Sequence, residues 1–155
     1  MFNTIVVGVD GREGGYDALR LAAELSSADG ADVVALRVIP WDHRPALSSA
    51  LTTECGEIVL ALERELADRG IAARGHVVGD TSPARALHHI AEREQADLIV
   101  VGSTHRGRVG RVLVGDVATG TLHGSPCPVA VAPSGFIGRS GTLQRIGVGF
   151  DAGEG

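Results

Sequence analysis

Between Leu98 and Pro133 the chain reads LIVVGSTHRGRVGRVLVGDVATGTLHGSPCPVAVAP, and within it Gly102 to Gly110 holds three glycines with His105, Arg106 and Arg108 and no acid. Glycines let backbone N–H groups turn toward an anion without interference from a Cβ atom. Arginine adds a fork-shaped cation that matches phosphate oxygens, and the first turn of a helix adds unpaired donors and partial positive charge. The surrounding order suits that chemistry: a β-branched run at Leu98 to Val101, the loop, a helical pattern from Arg111 to His123, and an apolar strand at Val129 to Ala132. In the helical pattern Val112, Leu113, Val117 and Leu122 are expected to share one buried face, and Gly124 stops it. The spacing reads as a phosphate cradle and equally as a tight strand-to-helix turn, and the local pattern leaves both open.

Other residue types give weaker signals. His88 and His89 are adjacent on a helical stretch, so they point in different directions and do not suit one metal ion. His123, near a helix C-terminus, occupies a favourable place for positive charge. His105 lies inside the candidate loop, where it would titrate near neutral pH. Cys55 and Cys127 stand far apart without C-x-x-C spacing, which suggests neither zinc nor a disulfide, and Cys127 between Pro126 and Pro128 reads as a packing residue. No G-x-S-x-G elbow is present. All fourteen basic residues are arginine, which excludes a Walker A loop, since that motif needs a lysine.

The 155 residues, 44% of them hydrophobic, suffice for one ordinary domain with its own core. A net charge of −5 argues against nucleic acid, whose phosphates call for a basic face. The opening MFNTIVVGVD has no basic leader region, and its apolar run is too short for a signal or a membrane span. It reads as a first strand of a cytoplasmic protein.

The elements that must position the loop follow in alternation. Thr4 to Val9 is a buried strand ending in the turn pair Asp10-Gly11. From Gly14 to Ala28 the residues Ala18, Leu19, Ala22, Ala23 and Leu25 recur at helical spacing, with Asp17, Arg20 and Glu24 expected off that face. Ala31 to Ile39 is a second strand, and Trp41 to Pro45 reads as loop. Ile58, Leu62 and Leu66 mark a helix that ends at Gly70. Ile71 to Val78 suits an edge strand. Ser82 caps, and Pro83 opens, a helix reaching about Gln95.

Five strands alternating with helices predict an α/β fold, a doubly wound five-stranded parallel sheet with helices on both faces. Ligands in such sheets bind beyond the carboxyl ends of the strands, where the strand order reverses. If the first and fourth strands are neighbours there, Asp10-Gly11 and the Gly102 loop face one another. Further on, Ile146 to Gly155 (IGVGFDAGEG) aligns with Ile5 to Gly14 (IVVGVDGREG), matching at Ile146, Val148, Gly149, Asp151, Glu154 and Gly155. The expected organisation is a domain at 1–133, a linker at 134–145 and the start of a second, truncated copy at 146–155.

Several separated signatures together resemble the universal stress protein family: IVVGVDG at the first strand, ALRV at the second, Gly79-Asp80 before a helix, ADLIVVGS from Ala96, and VLVGDVATGTLHGSPCPVAVAP from Val112. The resemblance covers Thr4 to Pro133 and implies a three-layer sandwich like that of the adenine nucleotide alpha hydrolases. It implies binding of an adenine nucleotide, ATP above all and with Mg2+ as a companion. Nucleotide-binding members carry G-x-x-G, nine residues, then G-[S/T]. Here the first glycine registers at Gly102 and the last at Gly115, while His105 replaces the second glycine and Asp116 the closing hydroxyl residue.

The nucleotide-binding set implied is Val9, Asp10, Gly11, Val38, Gly102, Ser103, His105, Arg106, Gly115, Asp116 and Val117. Val9 and Asp10 would lie at the adenosine end, Val38 would offer backbone groups to adenine, and the residues from Gly102 on would line the phosphate region. The implied role is stress-response signalling through dimerisation, or pairing with a second tandem domain, along Val129 to Ala132. No metal site and no catalytic residue is assigned. The alternatives are a nucleotide-free interaction module, favoured by Asp116, and a slow ATPase, for which His105 is the candidate acid or base. The H-x-G-H and S-G-G-x-D-S signatures of enzymes on the same kind of sheet are absent from the sequence.

Overall fold

The computed structural model describes residues 2–39, 48–103 and 115–138, with residues 48–55 described as helical backbone only. Its elements run β1 (Thr4–Gly8), α1 (Glu13–Asp29), β2 (Asp32–Ile39), α2 (Ser48–Asp68), β3 (Arg74–Gly79), α3 (Pro83–Arg93), β4 (Leu98–Gly102), α4 (Asp116–Leu122) and β5 (Val129–Ala132), followed by a 3-10 turn at Phe136–Gly138. The strands form one sheet in the order β3-β2-β1-β4-β5, and every neighbouring pair is parallel. The first and fourth strands are therefore neighbours, as the ligand-site expectation required. Ile5 lies opposite Leu98 and Val7 opposite Val100.

The period of two along each strand divides the core between the two faces of the sheet. Ile5, Val7, Val33, Ala35, Leu98 and Val100 face Ala18, Leu19 and Ala22 of α1 and Leu62 and Leu66 of α2. Val6, Val34, Leu36, Ile99 and Val101 face Ala86, Leu87 and Ile90 of α3 and Ala118 of α4. That division makes the three-layer, doubly wound sandwich. Among the described residues no helix is long and apolar enough to cross a membrane.

Local chemistry sets the helix ends. Ser82 Oγ accepts from Arg85 N at 3.3 Å, with Pro83 at the first helical position. Gly30 closes α1 in the left-handed region at φ 74, its N–H donating to Ser26 O at 2.7 Å. At the amino end of the β1/β4 pair, Asp97 accepts from Asn3 N at 2.6 Å and Thr4 N at 3.0 Å. Those bonds, the one from Asn3 foremost, hold its carboxyl below the usual carboxylate range.

Two expectations are corrected. Asp17, expected off the buried face of α1, is 1% exposed. Its carboxylate accepts from Gly135 N at 2.9 Å and Ile137 N at 2.7 Å, so a segment more than a hundred residues away supplies the partners that let it be buried. Val117 and Leu122, expected on the buried face of α4, are 43% and 47% exposed. Ala118 and Thr121 face inward instead. A Cβ on Gly120 would stand 3.1 Å from the Ala84 methyl, so small residues let α4 approach α3 closely.

Residues 134–138, the beginning of the stretch read as linker, dock on α1, and Phe136 is buried in the same core as Leu19. The rest of that stretch and the repeat at 146–155 lie outside the described residues. So do Trp41 to Pro45, Val112 and Leu113, and the side chain of Cys55.

Candidate functional site

A cavity of about 750 Å³ opens at the carboxyl ends of β1 and β4. This is where the chain departs from the sheet in opposite directions, toward β2 from β1 and toward β5 from β4. One end is apolar, built from Val9, Leu36, Val38, Pro83 and Leu87. The other is polar, built from Asp10, Arg12, Ser103, Gly115 and Asp116, with the first turns of α1 and α4 beside it.

Of the expected set, Val9, Asp10, Val38, Gly102, Ser103, Gly115, Asp116 and Val117 line this one cavity. Gly11 does not. It makes the turn after β1 at φ 76, and a Cβ there would meet Arg37 on β2. His105 and Arg106 lie outside the described residues, as do Arg108 and Gly110.

The register of the sheet gives Val38 its character. In a parallel ladder the N–H and C=O of one residue point to the same side, and successive residues alternate sides. Leu36 faces β1, its carbonyl accepting from Val9 N at 2.9 Å, whereas Ile39 faces β3, its carbonyl accepting from Asp80 N at 3.1 Å. Val38 therefore faces β1, beyond the Gly8–Leu36 pair with which that ladder ends. Its N–H and C=O are directed past the end of β1, at the apolar end of the cavity.

Main chain packs on main chain at the base of the site. A Cβ on Gly102 would fall 2.0 Å from Gly14 O, so the end of β4 touches the first turn of α1 and admits no side chain. Asp10 Oδ1 accepts from Arg12 N at 2.9 Å and lies where it would be 2.9 Å from a Cβ on Gly15. Behind this wall Tyr16 donates its hydroxyl to Glu65, and the Arg69 guanidinium sits 3.9 Å above the Tyr16 ring. That hydrogen bond holds the Glu65 carboxyl low and pushes the Tyr16 phenol up. Ser103 is 4% exposed, its N–H donates to Ala132 O at 2.9 Å, and among the described residues its hydroxyl has no hydrogen-bond partner.

The opposite wall is joined through side chains. His88 Nε2 lies 2.8 Å from Thr121 O and links α3 to α4. His89 is exposed and borders a separate cavity of about 280 Å³ with Asp80 and Arg85. His123 Nδ1 lies 2.8 Å from Thr119 O. Cys127 is half-buried, and that burial raises its thiol pKa, which suits a packing residue.

The cavity is lined as well by Gly8, Arg12, Gly14, Gly15, Leu36, Pro83, Leu87, Val101 and Ala118, which the sequence analysis does not name as site residues. For Arg12 a signal exists: it is the N-cap of α1, a position where Ser, Thr, Asp or Asn is ordinary, and it makes no side-chain cap bond. Leu36 and Leu87 read only as core, because core is what their other neighbours make them.

Fold and cavity together define a doubly wound α/β domain with an open cavity at the switch point. A family model described as the universal stress protein family matches residues 1–133, and the chain belongs to that family. A universal stress protein of Mycobacterium tuberculosis (strain ATCC 25618 / H37Rv) is 32% identical over 164 residues, covering 98% of this chain and 56% of that protein. One from Methanocaldococcus jannaschii is 29% identical over 140 residues, covering 84% and 82%. The chain thus spans about half the length of the mycobacterial relative it matches.

Among solved structures, a universal stress protein in complex with cAMP superposes with a TM-score of 0.67 at 22% identity, covering 86% of this chain and 98% of that one. A universal stress protein from Archaeoglobus fulgidus in complex with dAMP gives 0.60 at 22% identity, covering 83% and 96%. These likenesses show the fold.

Proposed function

We propose that this domain binds an adenine nucleotide in the cavity between β1 and β4, and that the bound state is passed on through association along the β5 edge. The observation that carries the reading is the Val38 backbone pair at the apolar end of the cavity. An N–H donor beside a C=O acceptor complements the N1 acceptor and N6 amino donor of adenine, whereas guanine presents both groups reversed. Val9, Leu36 and Leu87 supply apolar surface for a base. The solved relatives that hold cAMP and dAMP support the same chemistry.

Association through Val129–Ala132 is supported by its place at the edge of the sheet, with exposed Leu122 and Ile137 on the elements beside it. The partner would be a second copy or a second tandem domain, which the repeat at 146–155 supports. The wider reading is a cytoplasmic stress-response module. A nucleotide-free interaction module is the second reading, and the Asp116 carboxylate on the cavity wall is what favours it.

Calorimetric titration with adenosine beside guanosine tests the proposal. Adenosine is expected to bind and guanosine to bind at least about tenfold more weakly, the effect of one reversed hydrogen-bonding edge. No binding by either would favour the interaction module, and equal binding would remove Val38 from the account.

A further inference from the structure

Away from the cavity, on the edge strand β3, charged side chains from three elements crowd one imidazole. His76 lies opposite Leu36 and so stands on the face of the sheet that α3 covers. From α3, Arg93 Nη2 lies 3.0 Å from His76 Nδ1, and Glu94 Oε1 lies 4.0 Å from His76 Nε2. Arg93 also donates to Glu94 Oε1 at 3.0 Å, and Arg74 of β3 donates to Glu94 Oε2 at 3.4 Å. Glu63 of α2 is the other carboxylate, and it accepts from Gly75 N at 3.0 Å. His89, one turn before Arg93 on α3, is exposed. Arginine has only donors to offer, so Nδ1 presents its lone pair to Arg93, and the ring proton sits on Nε2, toward Glu94. A second proton would have to occupy Nδ1, where it would meet the Arg93 N–H donor to donor.

The turn beside this contact is held in an unusual conformation. Gln95, next after Glu94, has φ 51 and is the one non-glycine residue with positive φ among the described residues. Around it Glu94 N donates to Ile90 O at 2.9 Å and Ala96 N to Ala91 O at 2.8 Å. Toward its other end the same helix carries Pro83 and Leu87 to the cavity wall. We infer that His76 is a proton-operated latch between the β3 edge and the end of α3: the neutral ring accepts from Arg93 and holds the turn at Glu94–Ala96, and protonation expels Arg93 and loosens that turn. The Arg93 side chain is 51% exposed, so water is open to it once it leaves. Burial and the Arg93 charge push the His76 ring below the ordinary imidazole range, with Arg74 acting the same way and Glu94 and Glu63 opposing. The stability that the neutral ring adds is therefore complete above roughly pH 6.5 and lost as pH falls through the lowered folded value. Glu94 stays charged over that window, because the hydrogen bond from Arg93 foremost holds its carboxyl below the usual range.

The test is an NMR titration of the full chain from about pH 8 to about pH 5, across the histidine range. It follows the His76 ring and the solvent exchange of the Glu94 and Ala96 amides, corrected for the intrinsic pH dependence of exchange, in the parent and in His76→Gln, Arg93→Met and His89→Gln. In the parent His76 is expected to titrate below the ordinary value, and protection of the two amides to fall about threefold or more as the ring charges. Arg93→Met keeps an apolar stem without donor or charge, and should raise the proton affinity of His76 by about threefold or more. His76→Gln, whose carboxamide oxygen accepts at every pH, should abolish the fall in protection. His89→Gln should behave as the parent. Titration of the parent ring at or above the ordinary value, a proton affinity that Arg93→Met leaves unmoved, or an equal fall in His76→Gln would each overturn the latch. Loss of the fall in His89→Gln overturns it as well, by assigning the proton to the neighbouring histidine.

Discussion

The two walls of the cavity are built on different principles. On the β1/β4 side, backbone meets backbone: Gly102 lies against the Gly14 carbonyl, and Asp10 folds over Gly15. On the α3/α4 side, side chains span the contact, with His88 reaching Thr121 O and Gly120 set against Ala84. A wall of touching main chains has no slack, because atoms closer than contact distance must displace whole elements. A wall joined by one imidazole and a few small residues can shift slightly at modest cost. The first therefore sets the fixed floor of the cavity, and the second, where Asp116 begins α4, is the wall that can adjust.

The widest separation between the walls is expected from Gly102→Ala. Its methyl would fall on Gly14 O, so unfolding in denaturant should show a loss of about 3 kcal/mol or more. A loss under about 1 kcal/mol would mean that the β1/β4 wall yields as readily as the other. Next is Asp17→Ala, which strips the acceptor from the buried N–H groups of Gly135 and Ile137 behind α1. A destabilisation of about 2–3 kcal/mol is expected, with restoration of part of it by Asp17→Asn, whose carbonyl still accepts.

On the α3/α4 wall the expected effects are smaller. His88→Ala should cost about 1 kcal/mol by the same measurement, and His88→Gln, which keeps a donor, should recover most of it. Ser82→Ala removes the α3 cap and should also cost about 1 kcal/mol. A loss matching that of Gly102→Ala at either position would erase the contrast between the walls.

The smallest effect lies at the far end of the β1/β4 pair. The folded carboxyl of Asp97 is held below its unfolded value, so the stability it adds is complete above roughly pH 3.9 and disappears as pH falls through the lowered folded value. Acid titration of Asp97→Asn should accordingly show a shallower loss of stability over that window than the parent. Parallel curves would detach this carboxylate from the strand pair it fastens.

Sequence reading reached the sheet because each strand carries its own evidence. Runs such as Leu98 to Val101 are apolar on both faces, and a strand covered on both sides must be. It also reached most of the cavity, since Asp10 and Gly102 end strands that proved to be neighbours. What it missed depends on partners remote in the chain. Nothing within α1 marks Asp17 for burial, because the N–H groups that satisfy it come from Gly135 and Ile137. On α4 the inward residues Ala118 and Thr121 are less hydrophobic than the outward Val117 and Leu122, so the apolar pattern pointed to the wrong face. Closeness to α3 favoured small residues over apolar ones. Val38 is named through the resemblance alone, and the register of β2 between β1 and β3 sets the direction of its N–H and C=O.

The proposal that the Val38 backbone reads an adenine ring is tested by the amide spectrum of the isotope-labelled chain during titration with adenosine. The Val38 amide should shift strongly downfield and become protected from solvent exchange as a hydrogen bond to the base forms, with Val9 and Leu87 shifting alongside. A saturating titration that moves other amides and leaves Val38 where it was would contradict the claim.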